Sequence, residues 1–119
     1  MHDTTTCLAE LKNKIKQFVE ERDWQQYHTP KNLSMSLAVE ASELMELFLW
    51  VEGEASKEVI VNKHKAVKEE LADIGIILLN FCMRYNIDLA QAIENKLKLN
   101  AQKYPVEKCK GKAVKYTEL

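Results

Sequence analysis

The sequence predicts an all-α fold built from four main helices. Its 119 residues include only three glycines and two prolines, so few positions interrupt a long helix. Apolar residues recur three or four positions apart, and no stretch alternates convincingly between apolar and polar residues as a half-buried strand does. A chain of this length folds as one domain that buries roughly 60–70% of its unfolded surface. We therefore expect one helical domain over residues 1–119.

The first two helices are predicted from apolar stripes and capping residues. The first is expected over about residues 5–21, with the preceding threonines as its N-cap. Its stripe consists of Leu8, Leu11, Ile15, Phe18 and Val19. The segment RDWQQYHTPKN breaks this pattern and predicts a loop. The second helix is expected to begin at Thr29-Pro30 or Asn32 and to end near Val51.

Two further helices and a tail complete the predicted chain. The third helix is expected to end near Arg84, and the fourth to begin at Asp88, which resembles the start of a capping box with Gln91. The fourth helix stops before Pro105, because proline cannot continue a helix. Residues 105–119 form a tail with four lysines, two glutamates and few apolar groups. We expect this tail to dock on a neighbouring subunit, through Val114, Tyr116 and Leu119.

Each of the two middle helices carries a pair of carboxylates on its apolar face. At about 100° per residue, the apolar residues of the second helix fall within roughly 60° of Glu40, with Glu43 about 60° to the other side. Glu70 and Asp73 occupy the same positions relative to the stripe of the third helix. The two stripes are Leu33, Leu37, Leu44, Leu47 and Val51, and Val67, Ile74, Ile77, Phe81 and Tyr85. Taking an unpaired charge out of water on such a face costs several kcal/mol.

Two explanations of these acid pairs compete. A single glutamate on an apolar face is usually a side chain that snorkels to solvent or pairs with a cation. Acid pairs with i,i+3 spacing on two successive helices instead predict a metal site, since a divalent cation relieves the repulsion among four carboxylates. Ligands that are all oxygen select a hard ion such as Mg²⁺ or Mn²⁺. We therefore predict Glu40, Glu43, Glu70 and Asp73 as the metal ligands.

The spacing of the acid pairs also predicts where the chain turns. In an antiparallel hairpin the midpoints of the two pairs are equidistant from the turn, which is thereby centred at about residue 56 or 57. A straight third helix that began at Ser56 would leave the pairs misaligned by roughly 9 Å, at about 1.5 Å per residue. We therefore expect residues 53 to about 61 to be mostly connection or a short separate turn.

Composition and charge exclude several classes of protein. The formal net charge is −1 and the isoelectric point is near 6.3, so the chain has no overall basic footprint for nucleic acid. Three scattered cysteines without metal-type spacing fit a reducing cytosol better than a disulfide framework. The start MHDTTTCLAEL lacks a signal region, and the longest apolar run, residues 74–79, is too short to cross a bilayer. We expect a cytoplasmic protein that binds no membrane.

The acid pairs and their surroundings resemble the MazG-like, all-α nucleoside triphosphate pyrophosphohydrolases. The resemblance rests on Glu40-x-x-Glu43 and Glu70-x-x-Asp73, on RDWQQYHTPKNL and ELFLW around the first pair, and on NIDLAQAIENKLKLNAQKYP after the second. These segments cover most of residues 22–105, and the similarity is to the small, single-domain branch. The resemblance implies Mg²⁺-dependent cleavage of a (deoxy)nucleoside triphosphate between its α- and β-phosphates. It also implies homodimers, or dimers of dimers, with sites completed between subunits.

The same resemblance, together with side-chain chemistry, predicts further site residues. Glu43 is expected to orient or deprotonate the attacking water in addition to binding metal. Trp24 and Trp50 match family positions near the nucleotide and could stack on a base, although a tryptophan is more often simply core. Further candidates for substrate contacts are His28, Lys31, Lys96, Asn100 and Lys103. The alternative for the lysines is a solvated basic face, and for His28 a residue that fixes its loop.

Base preference does not carry over from the family. Relatives that prefer cytosine can place His and Tyr where this chain has Ile15 and Ile77. An apolar wall rejects wrong partners less well than a polar one does. We therefore expect more than one deoxynucleotide to be accepted.

Two other functions are compatible with the same helices. A di-iron carboxylate bundle usually needs Glu-x-x-His pairs, and none of the three histidines follows a glutamate at that spacing. A non-catalytic helical interaction module that keeps the acids for structure remains open. In any of these cases the second and third helices are apolar almost all round, including Met45, Leu49, Ile76 and Leu79. That surface predicts a homodimer or a tetramer.

Overall fold

All residues from 1 to 119 are described by a computed structural model, and every regular element in it is helical. The α-helices are α1 (Leu8–Glu20), α2 (Pro30–Glu46), α3 (Ser56–Asn62), α4 (His64–Arg84), α5 (Leu89–Lys103) and α6 (Val106–Cys109). Short 3₁₀ turns lie at Gln25–Tyr27, Gly53–Ala55 and Tyr116–Glu118. The predicted all-α class is confirmed, but the chain has six helices rather than four. The two additional helices, α3 and α6, are short.

The caps of α2 and α5 are the predicted ones, whereas the cap of α1 is not. Thr29 Oγ1 accepts the Asn32 backbone N–H at 3.1 Å, and an Asp88 carboxylate oxygen accepts the Gln91 N–H at 2.9 Å. The N-cap of α1 is Cys7, whose N–H donates to the Glu10 carboxylate at 2.7 Å. The predicted threonine cap is wrong because those threonines belong to a turn of their own, in which two of them hydrogen-bond to His2.

The α-helical part of α2 is about one turn shorter than predicted. It ends at Glu46, and residues 47–51 continue as turns. The bonds there are of the tighter i→i−3 kind, as in Phe48 N–H to Met45 O at 3.0 Å. Such a tightened last turn is common where a helix runs out.

The connection before α4 is a short separate helix. Lys63, at φ −120° and ψ 34°, separates α3 from α4. The register argument, which required a break before the long helix, is therefore confirmed. Residues 53–61, expected to be mostly connection or a short separate turn, consist of the 3₁₀ turn Gly53–Ala55 and most of the seven-residue α3, in which Val59 is buried.

The chain divides into two compact units, residues 1–86 and 87–119. In the first unit α4 packs against both α1 and α2. Helices α2 and α4 run antiparallel, because His28, just before α2, contacts Asn80 near the end of α4, whereas Glu40 meets Glu70 near its beginning. The buried apolar residues are Ile15, Val19, Leu33, Val59, Val67, Leu79 and Cys82.

The second unit contains α5, α6 and the tail. No residue of α5 is buried. Tyr116 of the tail packs edge-on against Tyr104, with ring centroids 6.0 Å apart, and the Lys103 ammonium lies 4.8 Å from the Tyr116 ring centre. The tail is therefore packed within its own unit, while Val114 and Leu119 stay largely exposed. Two expectations remain predictions: that the chain forms a single domain, and that its tail docks on another subunit. None of the helices is both long and apolar enough to cross a membrane.

Candidate functional site

Three of the four predicted metal ligands come together between α2 and α4. One carboxylate oxygen each from Glu40, Glu43 and Glu70 lies within 4.8 Å of the others. All three side chains are half-buried. The geometry follows from the sequence: each acid interrupts the apolar face of its helix, and the two antiparallel faces pack on each other.

Two carboxyl groups of this cluster, those of Glu40 and Glu70, have a raised pKa. Burial, then the hydrogen bond with Glu43, and then the charges of neighbouring acids raise the pKa of Glu40. The same causes raise the pKa of Glu70. One buried oxygen of Glu40 and one of Glu70 have no hydrogen-bond partner. Lone pairs of this kind, among like charges, fit a divalent cation with oxygen ligands.

Asp73, the fourth predicted ligand, lies at the edge of the cluster. Its side chain is exposed and it is not one of the three whose oxygens meet. It is nevertheless close enough for its charge to raise the pKa of both Glu40 and Glu70. Glu69 faces the other way, towards Lys65, with 3.7 Å between the charged atoms.

A cavity of about 230 Å³ begins at Glu40 and is lined mainly by apolar and aromatic side chains. Trp24 and Ile77, both singled out in the sequence, lie in its wall. Ile15 is buried in the core and is not among the lining residues. The other lining residues are Phe18, Val19, His28, Leu33, Ser36, Ile76 and Asn80. The site thus joins an acidic end to an apolar, aromatic recess.

Trp24 and His28 reach this cavity from the loop between α1 and α2. The Trp24 ring meets the edge of Phe18 with centroids 5.8 Å apart, and 46% of Trp24 remains exposed. His28 Nδ1 lies 3.0 Å from the Asn80 amide nitrogen. Burial and, secondarily, the charge of Arg84 lower the pKa of His28, so its ring is neutral at neutral pH.

The remaining predicted substrate residues lie outside this cavity. Lys31 is exposed and lines a second, open groove of about 450 Å³ together with His28. Trp50 follows α2 and is 91% exposed. Lys96, Asn100 and Lys103 lie on α5 and belong to the second unit.

Sequence reasoning missed Asn80, a buried polar residue in the cavity wall. Its signal is an amide inside the apolar run GIILLNF of α4. Buried polar groups of this kind usually have a specific partner, and here the partner is His28, 52 residues away in the chain. No local pattern reveals a pairing at that separation.

Comparison with known proteins identifies the family. A family model described as MazG-like matches residues 35–119, and the chain belongs to the MazG-like family. It is 40% identical to dCTP pyrophosphatase 1 of Mus musculus over 114 residues, which cover 94% of this chain and 67% of the mouse protein. The human dCTP pyrophosphatase 1 is 36% identical over the same shares of both chains. The crystal structure of a pyrophosphatase from Archaeoglobus fulgidus matches 88% of this chain and 98% of its own, with a TM-score of 0.81 and 36% identity.

Proposed function

We propose that this protein is a divalent-metal-dependent nucleoside triphosphate pyrophosphohydrolase. It cleaves (deoxy)nucleoside triphosphates between the α- and β-phosphates and releases a monophosphate and pyrophosphate. The observation that carries the proposal is the cluster of Glu40, Glu43 and Glu70, which adjoins through Glu40 a cavity that has Phe18 and Trp24 in its wall. The matched relatives, which are named as pyrophosphatases, support the same reaction class.

The acidic cluster is the proposed binding site for Mg²⁺, with Mn²⁺ as a substitute. Glu40, Glu43 and Glu70 would be ligands, and Asp73 would join them from the edge of the cluster. Bound metal offsets the roughly four negative charges of a triphosphate and makes water a better nucleophile at neutral pH. Without it, four carboxylates would repel the substrate.

Glu43 is the proposed residue for activating water. Its carboxylate lies within 4.8 Å of those of Glu40 and Glu70, and it raises the pKa of both. A carboxylate in this position can accept a proton from water while the other acids hold the metal. Attack on the α-phosphorus then expels pyrophosphate, and Glu43 releases its proton to solvent.

The aromatic cavity is the proposed site for the base. Its volume of about 230 Å³ is below the range of roughly 300–1,000 Å³ for pockets that hold drug-sized ligands, as expected for a single base. Trp24 would stack on the base, and Ile77 would form an apolar wall that tolerates several bases.

Residues outside the cavity are proposed to complete the substrate site. Trp50 would contribute once a second copy of the chain covers it. The phosphate and sugar contacts would come from Lys31, Lys96, Asn100 and Lys103, whereas His28 would line the base site. A site that accepts several bases suits a role in sanitation of the nucleotide pool. Which nucleotide is removed is decided by the experiment below.

A substrate panel tests the proposal directly. Standard and modified nucleoside triphosphates are incubated with the protein and Mg²⁺, and pyrophosphate and phosphate are measured separately. We expect the protein to release pyrophosphate and no phosphate. This activity should disappear when the metal is chelated and in the Glu43→Gln variant. Phosphate release, or no hydrolysis of any triphosphate on the panel, would contradict the proposed reaction.

A further inference from the structure

The loop between α1 and α2 is fastened to the end of α4 at three points. The Tyr85 hydroxyl donates to the His28 carbonyl at 2.7 Å, and Arg84 Nη2 donates to the Gln25 carbonyl at 3.0 Å. The third contact joins the side chains of Asn80 and His28, at 3.0 Å. We call this set of three contacts the α4 clasp. All three donors lie within six consecutive residues, 80–85.

The side chains of the clasp are held by burial or packing. Asn80 is only 3% exposed, so its amide cannot exchange this bond for water without disturbing the fold, and Arg84 is half-buried. The Tyr85 ring packs on Phe81 with centroids 5.3 Å apart, which fixes the direction of its hydroxyl. The neutral ring of His28 leaves a lone pair for the Asn80 amide.

Trp24 depends on the backbone of this loop for its position. Its ring touches Phe18 at an edge, the Arg22 guanidinium lies 6.0 Å from the ring centre, and 46% of the residue is exposed, so its own packing restrains it only in part. On one side the loop is held by the Trp24 N–H, which donates to the Val19 carbonyl at 3.1 Å. On the other side it is held by the α4 clasp, beginning one residue after Trp24.

Helix α4 carries both the donors of the clasp and two of the acids, Glu70 and Asp73. Seven residues separate Asp73 from Asn80, which is roughly 10 Å along an α-helix at about 1.5 Å per residue. A continuous hydrogen-bonded helix changes its length very little. Helix α4 therefore fixes the distance between the acids, where phosphates are proposed to bind, and the loop, where the base is proposed to stack.

We propose that Asn80, Arg84 and Tyr85 are positioning residues that hold the Trp24 loop in register with the acidic cluster. The inference rests on the proposed function, since it assigns the loop a role in binding the base. The clasp residues need not touch the substrate. They limit the motion of Trp24, so that stacking costs less conformational entropy when a nucleotide binds.

The sharpest test removes one hydroxyl. Tyr85→Phe keeps the ring packed on Phe81 and loses only the bond to His28. The net contribution of a hydrogen bond is about 0.5–1.5 kcal/mol. Its loss is therefore expected to raise KM for a deoxynucleoside triphosphate by roughly two- to tenfold. The kcat is expected to stay unchanged, because the acids are untouched. Tyr27→Phe, in the same loop but with no bond to its hydroxyl, is the matched control and should behave as wild type.

Inorganic tripolyphosphate separates the base site from the metal site. It carries phosphates without a base, so its inhibition constant should be the same in wild type and in Tyr85→Phe. A variant that loses kcat and binds tripolyphosphate more weakly would overturn the proposal, because the hydroxyl would then support the acids. An unchanged KM would overturn it as well. Arg84→Lys, which keeps a donor, should raise KM less than Arg84→Met, which has none.

Fluorescence tests the clasp without any turnover. The chain has two tryptophans, so Trp50→Phe leaves Trp24 as the only one. Adding Tyr85→Phe to this background is expected to lower the anisotropy of Trp24 and shift its emission to the red, whereas Tyr27→Phe should do neither. Unchanged anisotropy would overturn the proposal. If wild type hydrolysed no triphosphate, the proposed function would fail, and this measurement would still decide whether the clasp holds the loop.

Discussion

Two carboxylate oxygens of the acidic cluster, one on Glu40 and one on Glu70, are buried without a hydrogen-bond partner. Buried polar atoms in this state are uncommon in folded proteins and usually mark an ion, a water or a functional site. The charges of Glu43 and Asp73 add to the cost of ionising both groups. In the absence of metal, the cluster therefore opposes folding, and metal binding relieves that opposition.

Neutralising one acid should separate activity from stability. Mutating a residue that only supports a metal ligand typically lowers metal affinity or activity by about 10- to 100-fold. Glu40→Gln removes a ligand itself, so we expect it to lower kcat/KM by about 100-fold or more. The same change should raise the melting temperature of metal-free protein, because it removes one charge from the cluster. Glu46→Gln, on the exposed side of α2, is the control and should change neither property. Normal activity of Glu40→Gln would remove Glu40 from the ligand set.

The stability of the metal-free protein should depend on pH through this cluster. The pKa values of Glu40 and Glu70 are raised above 4.5 in the folded state, so the folded state binds these protons more tightly than the unfolded chain does. Their destabilising effect is complete above the raised pKa values and disappears as the pH falls below 4.5. Urea titrations of wild type and Glu40→Gln, both with chelator, should therefore converge on acidification. A constant difference across that range would contradict the assignment.

Trp24 should contribute to substrate binding more than to chemistry. Base stacking on an aromatic side chain is worth roughly 1–3 kcal/mol, so Trp24→Ala is expected to raise KM by about 5- to 150-fold. Turnover at saturating substrate should persist, and Trp24→Phe should restore most of the affinity. Steady-state kinetics with several deoxynucleoside triphosphates measure both effects. A preference of more than about a thousandfold for one base would instead show that polar groups in the cavity hydrogen-bond to the base, since apolar contacts cannot supply such a preference.

At the scale of whole helices, the sequence predicted α2 and α4 well because their signals are local. Helical spacing placed the acids on packed faces, and their midpoints required the break that the structure has at Lys63. The cap of α1 was missed, because cysteine is an unusual N-cap and the preceding threonines had a closer partner in His2. The Asn80–His28 pair was missed for another reason. Its members are 52 residues apart, and only tertiary packing brings them together.

Helix α5 should depend on its cap more than the other long helices do. None of its residues is buried, and its Lys98–Glu94 pair is exposed and so adds little. Asp88→Ala removes the cap bond to Gln91, which is expected to cost about 0.5–2 kcal/mol. Hydrogen exchange should speed up at α5 amides and remain unchanged in α4. Asp88→Asn keeps an acceptor and should retain most of the protection.

At the scale of the whole molecule, apolar surface is left uncovered. Met45, Leu49 and Trp50 are all more than half exposed at the end of α2, and an apolar recess of about 550 Å³ lies beside them. Leu79, expected from the sequence to face outward, is instead buried against the core. Leu71 and Ile76 of α4 stay about half exposed, so the surface available for a partner comprises the end of α2 and part of α4. Large exposed apolar patches of this kind mark interfaces.

This surface predicts self-association through the end of α2. A homodimer or larger assembly is expected at micromolar concentration, because pairing two copies would remove these side chains from water. Leu49→Glu places a charge on the patch and is expected to produce monomers in light scattering, together with a red shift of Trp50 emission. Val61→Glu, on the exposed side of α3, is the control and should remain assembled. If both variants dissociated, the interface would extend over α3, and a monodisperse wild-type monomer would contradict the predicted assembly altogether.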